Sequence, residues 1–354
     1  MSYISAKDAA AKWAISQRRV ATLCSEGRII GASMVGGTWI IPCDALKPID
    51  ARTKLAPSKT NDAKPFLKWA GGKGQLLSEI SKHYPFKEHT NITKYAEPFV
   101  GGGAVLFDVL NKFDLKEIYI SDINAELINS YKVIRDDLSD LLDTLKGFEA
   151  NYISLSDSGR KEAYLAKRER FNELKRNGEE GVEKAALMIF LNKTCFNGLY
   201  RVNRKGDYNV PIGAYKNPLI CNEDNLKAVS DKLKNVTIVC GDYKKSANFI
   251  DNKTFVYFDP PYRPLSTTSN FTSYTEGLFD DEKQLELARY VQKLDNKGAL
   301  LVISNSDPKN TNQDDNFFDD AYSKQKIRRV EATRMINRNS NSRGKIKELL
   351  ITNF

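Results

Sequence analysis

Asp259-Pro260-Pro261-Tyr262 puts a carboxylate, two prolines and a phenol in four consecutive residues. They follow Thr254-Phe255-Val256-Tyr257-Phe258, an apolar, β-branched and aromatic run that reads as a buried strand. Two prolines cannot extend a ladder, so the strand stops there. Asp259 then stands at the strand's carboxyl end, where open α/β sheets bind ligands. This set suits an exocyclic amine on a flat heterocycle. Asp259 and the Pro260 carbonyl could each accept one amine hydrogen, and Tyr262 could stack on the ring. Alone, the tetrapeptide could equally be an ordinary strand-to-loop turn, so its companions decide.

Two glycine-bearing segments are the first companions. In Phe66-Leu67-Lys68-Trp69-Ala70-Gly71-Gly72-Lys73-Gly74, the glycines allow a tight turn close to a ligand. Lys68 and Lys73 flank that turn and Trp69 offers a flat apolar face; the P-loop pattern is absent. A helix is predicted over Gln75–Tyr84. In the second segment, Lys94-Tyr95-Ala96-Glu97 reads as a strand, Pro98-Phe99-Val100-Gly101-Gly102-Gly103 as a turn, and Ala104, Leu106, Phe107 and Leu110 as the apolar side of a helix. This is the first βα unit of a Rossmann-like sheet. Asp122 ends the next strand, Glu117–Ser121, roughly 20 residues past the glycines, where an acid commonly holds ribose hydroxyls. A dinucleotide would fit that acid too, but Gly-Gly-Gly lacks the regular G-x-G-x-x-G spacing. Asp242, after the strand Val236–Cys240, could bond the adenine amine of a nucleoside cofactor.

The third companion is Asn192-Lys193-Thr194-Cys195-Phe196-Asn197-Gly198-Leu199-Tyr200-Arg201, which mixes amides, aromatics, a glycine and a guanidinium outside any clean period. Aromatics beside cations are what base stacking and guanine reading need. Alternatively, Phe196 and Tyr200 pack locally and Arg201 pairs an acid. A hairpin turn is predicted at Asn203–Asp207.

The elements that must position these groups spread over 354 residues, enough for two or three units. The net charge of +9 suits a polyanionic partner. Five cysteines without a C-x-x-C pair, and only two histidines, argue against a disulfide framework or a metal site and for reduced thiols in a cytosol. No signal peptide or long apolar run is visible. Residues 1–47 read as a small α+β module: Ser5-x-x-Asp8 caps a helix carrying Ala9, Ala10, Trp13 and Ala14, and a second helix from Ser16 to Ser25 stops at Gly27. A hairpin is predicted from Ile29-Ile30, Gly36-Gly37 and Trp39-Ile40-Ile41. Two helices and a β wing are similar to winged helix-turn-helix DNA binders, with Gln17, Arg18 and Arg19 as contacts; a helical cap is the alternative. Residues 48–64 read as a polar linker. Charged helices are predicted over 126–190, with the run Lys161–Arg176 mostly a solvated face, a mobile loop over 263–280, a helix over 281–294, a strand over 299–303, a polar loop over 304–320, and two C-terminal strands around a turn at 337–344.

From Phe66 onward, about four-fifths of the chain, the strings F-L-K-W-A-G-G-K, E-P-F-V-G-G-G, N-x-x-x-F-N-G-L-x-R, N-V-P-I-G-x-Y-K and D-P-P-Y-x-P-L-S-x-T-x-N-F-T-x-Y resemble the Dam-type (D12 class) DNA adenine N6-methyltransferases. The order of motifs, glycines first, target recognition in the middle and D-P-P-Y late, is that of class alpha. The resemblance implies an α/β S-adenosylmethionine-dependent methyltransferase sheet over 65–354, with a target-recognition insertion at about 126–225. It implies methyl transfer to the N6 of an adenine flipped from double-stranded DNA, at GATC. Carried over, Asp259, Pro260 and Tyr262 are catalytic. Trp69, Lys73, Glu97, Pro98, Phe99, Gly101, Asp122, Asp242 and Asp259 meet the cofactor. Lys68, Phe196, Asn197, Leu199, Arg201, Pro211 and Tyr215 meet DNA, with Arg18 and Arg19 of the N-terminal module added. A readily aligned family member has Tyr at the place of Phe196 and Arg at the place of Ala214, so a hydroxyl and a phosphate contact are missing here. A monomer without metal, in the cytoplasm, is expected. The alternatives are a DNA-binding regulator with an inactive methylase domain, or methylation of glutamine or RNA.

Overall fold

The computed structural model describes residues 3–13, 15–29, 31–45, 47, 62–263, 279–333 and 345–354. Ala14, Ile30, linker residues 48–61, most of the predicted mobile loop (264–278) and the turn at 337–344 lie outside the described residues. The chain forms two compact units, Met1–Thr60 and Asn61–Phe354.

In the first unit, strand β1 (Tyr3–Ser5) leads into α1 (Ala6–Trp13). The capping pair forms: Asp8 N–H donates to Ser5 Oγ at 3.2 Å, and Ser5 Oγ donates to the Asp8 carboxylate at 2.6 Å. Ser16 caps α2 (Gln17–Ser25), and Gly27, at φ 65°, follows its end. The hairpin arms are β2 (Ser33–Val35) and β3 (Thr38–Pro42), joined by Gly36 and Gly37, both at positive φ as a tight primed turn requires. Ile29, expected on an arm, is instead buried with Ala9, Trp13, Val20, Leu23 and Ile41. The edge strand β1, pairing with β3, was not anticipated.

The second unit is built on a seven-stranded sheet. Its strands are β4 (Lys94–Glu97), β5 (Glu117–Asp122), β6 (Val236–Cys240), β7 (Thr254–Phe258), β8 (Leu300–Ser306), β9 (Lys326–Thr333) and β10 (Lys345–Thr352). The spatial order is β6-β5-β4-β7-β8-β10-β9; the first five are parallel, and β10 is antiparallel to both its neighbours. The chain moves outward from β4 through β5 to β6, then returns to β7 on the other side of β4. That reversal makes a crevice at the carboxyl ends of β4 and β7. β7 is buried along its whole length, as its unbroken apolar run requires.

Helix α4 (Ala104–Lys112) follows the glycine turn, with Val105 and Val109 buried beside Leu106, Phe107 and Leu110. Gln75–Tyr84 is not one helix: α3 spans only Leu77–Ile80, between two 3₁₀ turns. Pro85 disfavours helical backbone at the residue before it, and Tyr84 is extended at ψ 118°. Between β5 and β6 the chain forms α5 (Ala125–Asp136), α6 (Leu138–Ser154), α7 (Asp157–Arg176), α8 (Val182–Thr194), an irregular stretch and α9 (Glu223–Leu233). At the end of the predicted linker, Ala63 and Lys64 are already pinned, their backbones bonded to the Asn111 and Asn225 side chains. Helix α10 (Asp281–Asp295) falls where expected, whereas 304–320 is more ordered than its polarity suggests: β8 runs to Ser306 and buried Phe318 anchors α11 (Phe317–Ala321). Among the described residues no helix is long and apolar enough to cross a membrane.

Candidate active site

Asp259 emerges from β7 into the crevice, as the proline stop dictates. Its Oδ1 takes two donors, Ser304 Oγ at 3.0 Å and Lys73 Nζ at 2.8 Å. Ser304 is fully buried on β8 and shares a second hydrogen bond with the Tyr257 hydroxyl at 3.0 Å. Burial pushes the Asp259 carboxyl above the usual range, while Lys73 and then Ser304 pull it back. Both anchors sit on one oxygen, and among the described residues nothing donates to Oδ2. The Pro261 carbonyl is taken by Gln284 Nε2 at 2.8 Å. Among the described residues nothing donates to the Pro260 carbonyl. Tyr262 is half-buried; its hydroxyl donates to Glu348 at 2.7 Å, and one ring face lies 4.3 Å from Lys73 Nζ. Lys73, expected only at the cofactor, therefore joins the two side chains expected to be catalytic, Asp259 and Tyr262.

A cavity of about 200 Å³ opens beside Asp259, walled by Trp69, the Gly71–Gly74 turn, Glu97 and the Val100–Val105 turn. Five expected residues (Trp69, Lys73, Glu97, Gly101 and Asp259) thus converge. Gly101, at φ 48°, meets the Trp69 indole so closely that a Cβ would lie 3.0 Å from Cδ1. Asp122 holds that turn open: its Oδ2 accepts Gly101 N–H at 3.0 Å, and its Oδ1 accepts Asn124 N–H at 2.9 Å. Burial raises the Asp122 carboxyl, opposed by those backbone donors. Burial likewise drives the Glu97 carboxyl well above its usual range, and Tyr95 donates to it at 2.7 Å. A side-chain-free glycine turn, an acid at the end of the next strand and a flat indole fit a nucleoside carrying an amino-acid tail.

Four expected cofactor residues do not line this cavity: Asp122, whose two oxygens are both taken by backbone N–H groups, and Pro98, Phe99 and Asp242. Pro98 is buried, its carbonyl accepting from Ser121 Oγ. Phe99 packs into an aromatic cluster with Tyr243, Phe258 and Phe279. Asp242 is exposed, and its carboxylate caps the turn Tyr243–Asn248 by accepting Lys244 N–H at 2.9 Å. Each is spent on local structure. Ser304 was missed because it fell just beyond the predicted strand.

The expected DNA-reading residues of the second unit cluster. Phe196 is 52% exposed, and its N–H donates to the Pro211 carbonyl at 2.9 Å. Asn197, also exposed, is the only non-glycine residue at positive φ among the described ones, at 56°. Lys68 Nζ donates to the Tyr215 hydroxyl at 3.3 Å. Arg201 is exposed and bonds Asn209, not an acid, at 2.8 Å. The hairpin at 203–207 forms, closed by a bridge between Val202 and Tyr208. Tyr200 does pack inward, stacked on Trp69 with ring centroids 5.4 Å apart. Arg18 and Arg19 lie in the first unit, Arg18 exposed and Arg19 half-buried. Among the described residues no group of three or more His, Cys, Asp or Glu side chains could hold a metal.

Comparison with known proteins agrees with this geometry. A type II methyltransferase of Methanocaldococcus jannaschii, M.MjaIII, is 50% identical over 83% of this chain and all of its own length. The DNA adenine methylase of Haemophilus influenzae is 36% identical over 81% of this chain and 92% of its own. That of Escherichia coli K12 is 34% identical over 80% and 93%. Residues 69–336 match the D12 class N6 adenine-specific DNA methyltransferase family, so the first unit lies outside the match. The chain belongs to this family and is an adenine-specific DNA methyltransferase that uses S-adenosylmethionine.

Proposed function

We propose that Asp259 Oδ2 and the Pro260 carbonyl accept the two N6 hydrogens of an adenine flipped out of duplex DNA, with Tyr262 against the ring. The cofactor supplies an electrophilic methyl on a sulfonium. The adenine amine is a poor nucleophile because its lone pair is delocalised into the ring. Holding both hydrogens favours a pyramidal nitrogen with a localised lone pair. The Asp259 charge then offsets the positive charge that develops on nitrogen. Trp69, Gly101 and Lys73 would hold the cofactor, with Glu97 in the wall and Asp122 fixing the turn. The observation that carries this reading is the convergence of Asp259 with Trp69 and the glycine turn on one cavity. Asp259→Ala should abolish methyl transfer while retaining DNA binding; normal transfer by that variant refutes the assignment.

The target segment supports a base-flipping reading. An exposed phenyl ring at Phe196 can fill the gap left by the base, at an unstacking cost of a few kcal/mol. Lys68, Asn197, Leu199, Arg201 and Tyr215 would read the site, which we take as GATC. Sequencing methylated bases after expression in a methylation-deficient host tests this; modified adenines confined to another motif would overturn it. The first unit, with two capped helices and a β wing, reads as a winged helix-turn-helix DNA binder. Replacing Arg18 and Arg19 by Ala should lower the slope of log Kd against log salt by roughly 1–2. An unchanged slope would assign this unit another task.

A further inference from the structure

The cofactor wall and the target segment are tied together by one side chain that neither role explains. Asn192, 3% exposed near the end of α8, directs its amide into the seam between the two loops. Its Oδ1 accepts Lys68 N–H at 2.9 Å. Its Nδ2 donates to the Lys68 carbonyl at 2.8 Å and to the Gly198 carbonyl at 2.9 Å. Both amide hydrogens and the oxygen are therefore used, on two loops distant in sequence. The same seam is closed twice more. The Lys68 stem lies on Gly198, where an added Cβ would come within 2.8 Å of Lys68 Cβ. The next residue, Trp69, stacks on Tyr200, which donates to buried Glu126 at 3.0 Å.

The target side of the seam is under backbone strain. Asn197 and Gly198 are consecutive left-handed residues, a conformation free for glycine and carrying a small cost for asparagine, which tolerates it better than most side chains. The Asn192 bond to the Gly198 carbonyl opposes relaxation of this turn. A ligand that rigidifies one of two loops tied by shared hydrogen bonds lowers the entropy cost of ordering the other.

We propose that Asn192 is a positioning residue that couples cofactor binding to target reading. Ordering residues 66–69 around the cofactor fixes the 196–199 turn for the base gap, and DNA on that turn tightens the cofactor wall in return. This rests on the reading above that Trp69 meets the cofactor and that residues 196–201 meet DNA.

The test uses the full chain, S-adenosylhomocysteine as a non-reactive cofactor, and whichever duplex the wild type methylates, so it does not depend on GATC. The wild type should bind that duplex at least about fivefold more tightly with S-adenosylhomocysteine present. Asn192→Asp, which keeps the acceptor and loses both donors, and Asn192→Ala should bring this ratio close to one while each ligand alone still binds. A wild-type ratio near one, or variants that keep the wild-type ratio, overturns the proposal. Hydrogen exchange on the wild type gives a readout without a variant: S-adenosylhomocysteine should slow exchange at the Gly198 and Leu199 amides as well as at 66–72. Protection confined to 66–72 overturns the proposal even if the variants do not fold. Failure of the underlying reading looks different: Phe196→Ala and Arg201→Ala would leave duplex affinity unchanged.

Discussion

Ser304→Ala tests whether Asp259 has to be aimed as well as present. Ser304 Oγ donates to Asp259 Oδ1 at 3.0 Å from a fully buried position, on the same oxygen that the Lys73 ammonium meets. A hydrogen bond to a charged acceptor contributes about 1.5–3 kcal/mol. If the orientation it imposes is realised only in the transition state, its loss slows the single-turnover rate by up to roughly 10- to 150-fold. The pH profile should move as well. Asp259 offsets the positive charge developing on the amine only when ionised, burial already raises its carboxyl, and Ser304 is one of two groups that lower it. Without Ser304 the proton is held to higher pH, so the acid limb of the rate moves toward neutrality. Tyr257→Phe is the companion variant, because it removes the Tyr257 hydroxyl from Ser304 and leaves the bond to Asp259; its rate should fall only a few-fold. The assay is single-turnover methyl transfer from labelled cofactor across pH, with cofactor and DNA affinities measured alongside. A Ser304→Ala enzyme within twofold of wild type, with an unmoved acid limb, refutes the idea that Ser304 aims the carboxylate.

Other outcomes follow from particular contacts. Phe196→Ala should weaken binding to the target duplex and slow flipping, seen with a fluorescent base analogue at the target, whereas Phe196→Tyr should keep both near wild type. Gly198→Ala puts a Cβ within 2.5 Å of Lys68 Cδ at a φ of 66°, so it should displace Lys68 and lower duplex affinity, read by anisotropy, with cofactor affinity less affected. Burial raises the Glu97 carboxyl well above its usual range in the folded protein. Its contribution to stability is therefore full below the unfolded value of about 4.3 and is lost as pH rises toward the folded value. Glu97→Gln should accordingly melt higher than wild type at pH 8, with the difference closing toward pH 4 in thermal scans.

Much of this site was legible because its positions are defined locally. A β-branched run followed by two prolines places Asp259 at a strand end whatever the rest of the chain does. Likewise a strand, three glycines and an apolar helix place Gly101, and the end of the next strand places Asp122. Phe196 and Asn197 stood out because their types fit no period. The misses share one cause, which is that long-range pairing sets them. Phe99 and Asp242 sit at plausible places in the sequence, but only the packing shows the phenyl turned into an aromatic cluster and the carboxylate spent on Lys244 N–H. The run Lys161–Arg176 read as a mostly solvated face and none of its charged side chains is buried, yet Lys175 reaches to within 3.4 Å of buried Glu126 on another helix. An ion pair between different helices leaves no trace in periodicity. Ser304 is the sharpest case. Phe258 pairs with Ile303 in the parallel register, which brings Ser304 level with Asp259, 45 residues earlier. Either strand can be recognised from its own composition, but their register depends on how 41 intervening residues fold back between Phe258 and Leu300. What a sequence announces about catalysis is thus the reacting group and the backbone stop that exposes it. What it withholds is the donor that orients that group, because the orienting bond joins elements whose alignment exists only in the folded sheet.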